Sequence, residues 1–200
     1  IKDIIGIVAV IISLGVYVPY VVAIWKRKIA PHPFGNIIWG IISLTEALLA
    51  LINHSGLSGA GVMLISGLIC MLQAGLVLIH EKIEHIDKTD WFIFTIAVLS
   101  IVVWIVLKQP LLALSLVLFA DLSGLIPSLR KIQNAPFCDS AWLWLIKGGA
   151  NALAFIAINH YSPLTALPSI FWTVCNTAGG CYILYKQKGA VKPISLKKVE

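Results

Sequence analysis

Three ionisable side chains stand inside long apolar stretches of this chain: Glu46, Asp121 and Lys147. A charge at the centre of a bilayer costs about 3 kcal/mol even on the gentler insertion scales, so each should face a cavity or a partner. Counted from the ends of their stretches at about 1.5 Å per residue, Asp121 and Lys147 fall near mid-depth, and an ion pair between them is expected. Such a pair serves packing as readily as transport. Glu46 has no cation at its depth in the neighbouring stretches, which makes it the candidate for proton coupling. The alternative is a neutral carboxyl group hydrogen-bonded to Ser43 or Asn151. Further along, "FWTVCNTAGG" puts Trp172 and Asn176 at i and i+4, on one helical face. An amide beside an indole suits a small polar solute, through hydrogen bonds and ring stacking; alone, Trp172 reads as a packing aromatic. The expected substrate-binding set is Asn176, Trp172, Asn151, Gln73 and Glu46.

The elements that must position these residues are membrane helices. Of 200 residues, 59% are hydrophobic and 12% charged, and the mean hydropathy is +0.93. A soluble domain carries about 25% charged residues, so most of this surface must meet something other than water. Apolar runs give seven spans: Ile4–Trp25, Phe34–Ile52, Leu57–Ile79, Trp91–Leu107, Leu111–Leu129, Ala141–Ile158 and Leu164–Tyr185. They are continuously apolar rather than alternating, which favours helices over barrel strands. The first run is too long for a cleavable signal and ends in Lys26-Arg27-Lys28.

Loop charge sets the expected orientation. With the N-terminus outside, the inner side collects Lys26, Arg27, Lys28, Lys82, Lys88, Arg130, Lys131, Lys186, Lys188, Lys192, Lys197 and Lys198, against Lys2 and Lys108 outside. Twelve against two predicts an outer N-terminus and a cytoplasmic C-terminus.

A second pattern concerns repetition. "INHSGL" from Ile52 echoes "INHYSPL" from Ile158, an offset of 106 that lays Asn53 on Asn159. In that register Val18-Pro19-Tyr20 before Lys26-Arg27-Lys28 answers Ile126-Pro127-Ser128 before Arg130-Lys131, given a two-residue gap in the basic loop. Pro31 and Pro33 precede one second helix and Pro136 the other; Trp39 answers Trp142 and Trp144. Chance likeness of two Ile- and Leu-rich stretches would share no polar landmarks in order. The expectation is therefore an all-α integral membrane protein with seven transmembrane helices, arranged 3+1+3. Residues 1–80 form a first three-helix repeat, 81–109 a cytoplasmic loop and linker helix, 110–186 a second repeat and 187–200 a basic tail. Because the linker crosses once, the repeats are parallel. Asp121 and Lys147 have no ionisable counterpart, Ser13 and Ile41 standing in their places, while Asn151 falls opposite Thr45 and Asn176 opposite Cys70.

This layout, with a proline near the inner end of each first helix, a basic loop and a second proline, resembles the PQ-loop superfamily. That superfamily includes the SWEET sugar transporters, the lysosomal amino-acid exporters and the KDEL receptor. Its Pro-Gln pair stands here as Pro19-Tyr20 and Pro127-Ser128. "PHPFGNIIW" also resembles the first loop of bacterial membrane proteins, which implies a bacterial cytoplasmic (inner) membrane. The resemblance implies a transporter or facilitator of a sugar-, amino-acid- or vitamin-like solute, working by alternating access. It gives Asn176, with aromatics, a substrate-holding role, and makes Pro19 and Pro127 hinge points, with Pro33 and Pro136 opposite. Transmembrane prolines are also common as static features. The alternative function is a receptor or sorting protein on the same scaffold, binding without flux.

Other classes fit poorly. No aromatic-interleaved basic stripe points to nucleic acid, despite a net charge of +6. Cys70, Cys138, Cys175 and Cys181 are scattered, and His54 and His160 repeat without further ligands nearby, so no metal is expected. They read as interfacial residues at equivalent helix ends. The last span holds no lysine for a retinal Schiff base, and no paired Asp, Ser with embedded His, or HExxH helix implies an enzyme. The expected partners are a small-molecule solute and the lipid bilayer, with no cofactor. Two triplets suffice for a pathway in one chain, so a homo-oligomer is compatible with the sequence but not required by it.

Overall fold

The computed structural model describes residues 1–27, 33–80, 88–134, 136 and 140–190, without side-chain detail at 80, 89, 90, 124, 126–128, 130, 131 and 134. Seven α-helices account for most of these residues: α1 (Lys2–Trp25), α2 (Pro33–Ile52), α3 (Gly56–His80), α4 (Lys88–Leu107), α5 (Pro110–Asn134), α6 (Ala141–Ile156) and α7 (Pro163–Lys188). The expected spans coincide with them to within a few residues at each end. The fifth helix continues past Leu129 to Asn134, because Arg, Lys and Gln are good helix formers and carry the pattern on. The sixth stops at Ile156, with Ala157 as its cap, so Ile158 belongs to the following turn.

Three helices, Lys2–Trp25, Pro33–Ile52 and Gly56–Ile79, are long and apolar enough to cross a membrane, and three more are shorter apolar helices. Their outward faces are apolar too. Ile4, Ile7, Ile11, Val18 and Val22 are exposed on α1, and Phe92, Val98, Leu99, Val102, Ile105 and Val106 on α4. Apolar patches of this extent are not held by monomers in water. An all-helical, membrane-embedded protein is the architecture with which these faces are consistent.

The packing order is regular. Helix α3 lies between α1 and α2, and α7 lies between α5 and α6. Helix α4 packs on α5 and α2, anchored at one end by Phe34, Trp91 and Phe94, whose rings stand 5.3 to 5.9 Å apart. The two groups of three meet along α1–α6, α2–α5, α2–α7 and α3–α6. Lipid tails offer no hydrophobic drive between helices, so contact depends on small residues that admit a neighbour. Gly67 leaves room for Leu44 of α2, Gly148 for Thr177 and Gly180 for Leu145. Between the groups, Ala9, Val62 and Ala154 pack together from α1, α3 and α6.

The repeated Ile-Asn-His segments meet at one end of the bundle. The Asn159 backbone N–H donates to the Ser55 carbonyl at 2.8 Å, and Lys2 Nζ donates to the Ile158 carbonyl at 2.6 Å. The turn between α2 and α3 closes through two left-handed residues, His54 at φ 62° and Gly56 at φ 76°. The Asn159 side chain fills the space a Cβ at Gly56 would need, so glycine is required there for two reasons.

Candidate functional site: a polar band between the two groups of helices

Toward the middle of the bundle the apolar packing is interrupted by buried polar side chains from α2, α5, α6 and α7. Glu46, Asp121, Asn151, Ser169 and Asn176 are all buried there, whereas Gln73 of α3 is buried at another level, beyond the place where Gly67 meets Leu44. Glu46 lies on the buried face of α2, with Ile42 and Leu49 one turn away on that face at i−4 and i+3, and Asp121 lies on the buried face of α5 with Val117 at i−4.

Glu46 and Asp121 face one another across the α2–α5 contact, and the Trp172 side chain of α7 lies beside Glu46. With both groups ionised all four carboxyl oxygens lack a donor, and a proton on either carboxyl would make the other its partner. Cys70 of α3 and Cys175 of α7 also lie within the field of Asp121. Gln73 Nε2 and Ser169 Oγ are buried without a partner as well. Native proteins pair nearly all their buried polar groups. Unpaired atoms contributed by α2, α5 and α7 thus make this the candidate site of the molecule.

The expected Asp121–Lys147 ion pair is not hydrogen-bonded here. Lys147 instead holds its ammonium over the Tyr17 ring, 4.5 Å from the centroid, and the Tyr17 hydroxyl reaches Ser66 Oγ at 3.1 Å. Lys147 and Asp121 nevertheless both act on the Cys70 thiol, so the two lie near one another without a direct hydrogen bond. Glu46 likewise has no hydrogen bond to Ser43 or Asn151, since Asn151 Nδ2 donates to the Lys147 carbonyl at 2.9 Å.

Asn176 Nδ2 donates to the Trp172 carbonyl at 2.8 Å, so the pair at i and i+4 is tied together and the amide oxygen is presented outward from that bond. Ser169 lies one turn before Trp172 on the same face. Sequence reasoning passed over Ser169, Cys70, Cys175 and Tyr17; the stripe Ser169, Trp172, Asn176 was visible as i, i+3, i+7 spacing, but the approach of Tyr17 to Lys147 is a tertiary fact.

The prolines divide. Pro19 lies inside an unbroken α1, on its exposed face. Pro33 is the first residue of α2, where a missing N–H leaves nothing unpaired and a helix starts rather than bends. Pro136 lies between α5 and α6, and its carbonyl accepts from Gln187 Nε2 at 2.9 Å, which fastens that turn to α7. Pro127 lies outside the described side chains. A proline not singled out above, Pro168, sits buried inside α7 and leaves the carbonyl one turn back without its helical donor, next to Ser169.

His54 and His160 are exposed at the end where the repeated segments meet. No family model, curated protein or solved structure matches this chain.

Proposed function

We propose that this chain is a bacterial inner-membrane transporter or facilitator of a small polar solute, bound at mid-depth between two three-helix repeats that move against each other. The observation that carries the reading is the cluster of buried polar groups Glu46, Asp121 and Ser169, to which both groups of helices contribute. A buried polar group without a partner costs about 1–3 kcal/mol, so this cluster supports a site for a polar solute.

Three features support the parallel 3+1+3 repeat. The middle helix of each group is its third in sequence, α3 or α7. Thr45 and Asn151, matched at the offset of 106, make the same bond: Thr45 Oγ1 donates to the Ile41 carbonyl at 2.8 Å, as Asn151 Nδ2 does to that of Lys147. The two Ile-Asn-His segments meet each other. With the N-terminus outside, as the loop charges favour, that meeting point lies at the outer end and joins the repeats there. Alternating access then requires the Ser55–Asn159 contact to part when the site opens outward.

Uptake into proteoliposomes tests this, with a panel of sugars, amino acids and vitamins outside. Saturable uptake that falls in Asn176→Ala is the expected result. A ligand that binds yet shows no flux under any gradient would overturn transport and favour a receptor on the same scaffold.

A further inference from the structure

Glu46 and Asp121 come from opposite groups of helices, are fully buried, and face one another; with both ionised, none of their four oxygens has a donor. We propose that this carboxyl pair is a cation site at which protons and the positively charged group of an organic solute exclude one another, so that the protein exchanges one for the other. The proposal rests on the transport reading above and narrows its solute to an organic cation.

Charge counting comes first. Two carboxylates at this separation in a medium of low dielectric constant cannot both be ionised unless positive charge lies with them. The titratable groups around the pair are few. Helix α3 brings Cys70, α7 brings Cys175, and α6 brings Lys147 with Tyr17 of α1 beneath it. Helix α4 has none between Trp91 and Leu107, and α2 and α5 have none beside the pair itself through Leu129. Lys147 therefore balances at most one of two negative charges. A proton or a bound cation must balance the other.

The surroundings favour an organic cation over a metal ion. Among the described residues no three His, Cys, Asp or Glu side chains are grouped closely enough to hold a metal. Trp172 sets its indole N–H toward Glu46, and it is an aromatic face elsewhere in the site that attracts an alkylammonium group. The same band already holds one such contact, the Lys147 ammonium over Tyr17. Ser169 Oγ, fully buried and unpartnered one turn from Trp172, and the Asn176 amide oxygen offer acceptors for the polar remainder of the solute. The exchange balances: a singly protonated pair takes up one monovalent cation and releases one proton. The empty pair re-protonates on the other side.

The test uses the full chain in lipid nanodiscs, weakly buffered with a pH dye. Choline, thiamine and tetraethylammonium are the cationic probes; 3,3-dimethylbutanol is the neutral match for choline, and sodium chloride the inorganic control. At least one cationic probe is expected to bind and release protons, with apparent affinity falling about tenfold per unit drop in pH while one proton competes. Glu46→Gln and Asp121→Asn should each abolish the proton release, Glu46→Asp should retain it, and Asn176→Ala should weaken binding yet retain it. Retention in the last two separates loss of the site from loss of the fold. The proposal is overturned if no cationic probe binds at millimolar concentration, if binding is indifferent to pH, or if the neutral match binds as well. It is also overturned if sodium alone releases as many protons. Saturable flux of a neutral solute with no proton movement would overturn the cation site and leave transport standing. Cation-linked proton release without flux would uphold the site and overturn transport.

Discussion

The end of the bundle where the repeated segments meet and the band at mid-depth use the same kinds of side chain in opposite ways. At the end, polar groups are engaged. Ser55 accepts from Asn159, Asn53 Nδ2 donates to the Leu49 carbonyl at 2.8 Å, and Lys2 bonds the Ile158 carbonyl and lies over the Tyr161 ring. Ser162 and Thr165 form a reciprocal capping box at the start of α7. Ser58 Oγ is the exception. At mid-depth the pattern reverses, and Glu46, Asp121 and Ser169 all carry unpartnered atoms. Polar groups at the end hold helices in place; those in the band are kept available. Changes at the end should therefore alter stability, and changes in the band should alter transport.

The largest effect is expected at Gly6, where a Cβ would meet the Ser58 Cα at 2.5 Å. Gly6→Val should destabilise the protein by about 3 kcal/mol, since backbone must move to relieve the overlap; denaturant midpoints in mixed micelles measure it. Next comes Asn176→Ala, expected to lower the specificity constant of uptake about tenfold, or ~1.4 kcal/mol, while the midpoint stays put. A shifted midpoint with unchanged uptake would erase the distinction. Ser162→Ala removes the acceptor for the Thr165 N–H and should cost about 1 kcal/mol of stability with uptake kinetics intact. Tyr17→Phe, which deletes the bond to Ser66, should cost about 0.6 kcal/mol, a typical interhelical hydrogen bond in a membrane. Smallest is the stability effect of Glu46→Gln: with no cationic partner to lose, the midpoint should stay within ~0.5 kcal/mol or rise.

The helices were legible from sequence because hydropathy states them directly, and the boundaries missed are where a polar helix former extends the pattern, as at Arg130-Lys131, or where a turn begins on an apolar residue, as at Ile158. Glu46, Asp121, Trp172 and Asn176 stood out for a related reason: polar residues are conspicuous in an apolar chain. Their partners did not. Depth along a helix is countable, but rotation about the bundle axis is not, and depth alone gave no sign that the Lys147 ammonium lies over the Tyr17 ring. The same limit hid the approach of Glu46 to Asp121, which depends on how α2 meets α5. Pro33 shows a third limit, since proline marks a helix start and a hinge with the same letter.

The most direct measurement locks the end where the repeated Ile-Asn-His segments meet. Ser55→Cys with Asn159→Cys, in a chain whose Cys70, Cys138, Cys175 and Cys181 are replaced by alanine, places two thiols where the backbones are already hydrogen-bonded at 2.8 Å. Solute flux into proteoliposomes should disappear on oxidation and return on reduction, because the contact must part for the site to open outward. Undiminished flux through the oxidised, fully cross-linked protein would contradict the account.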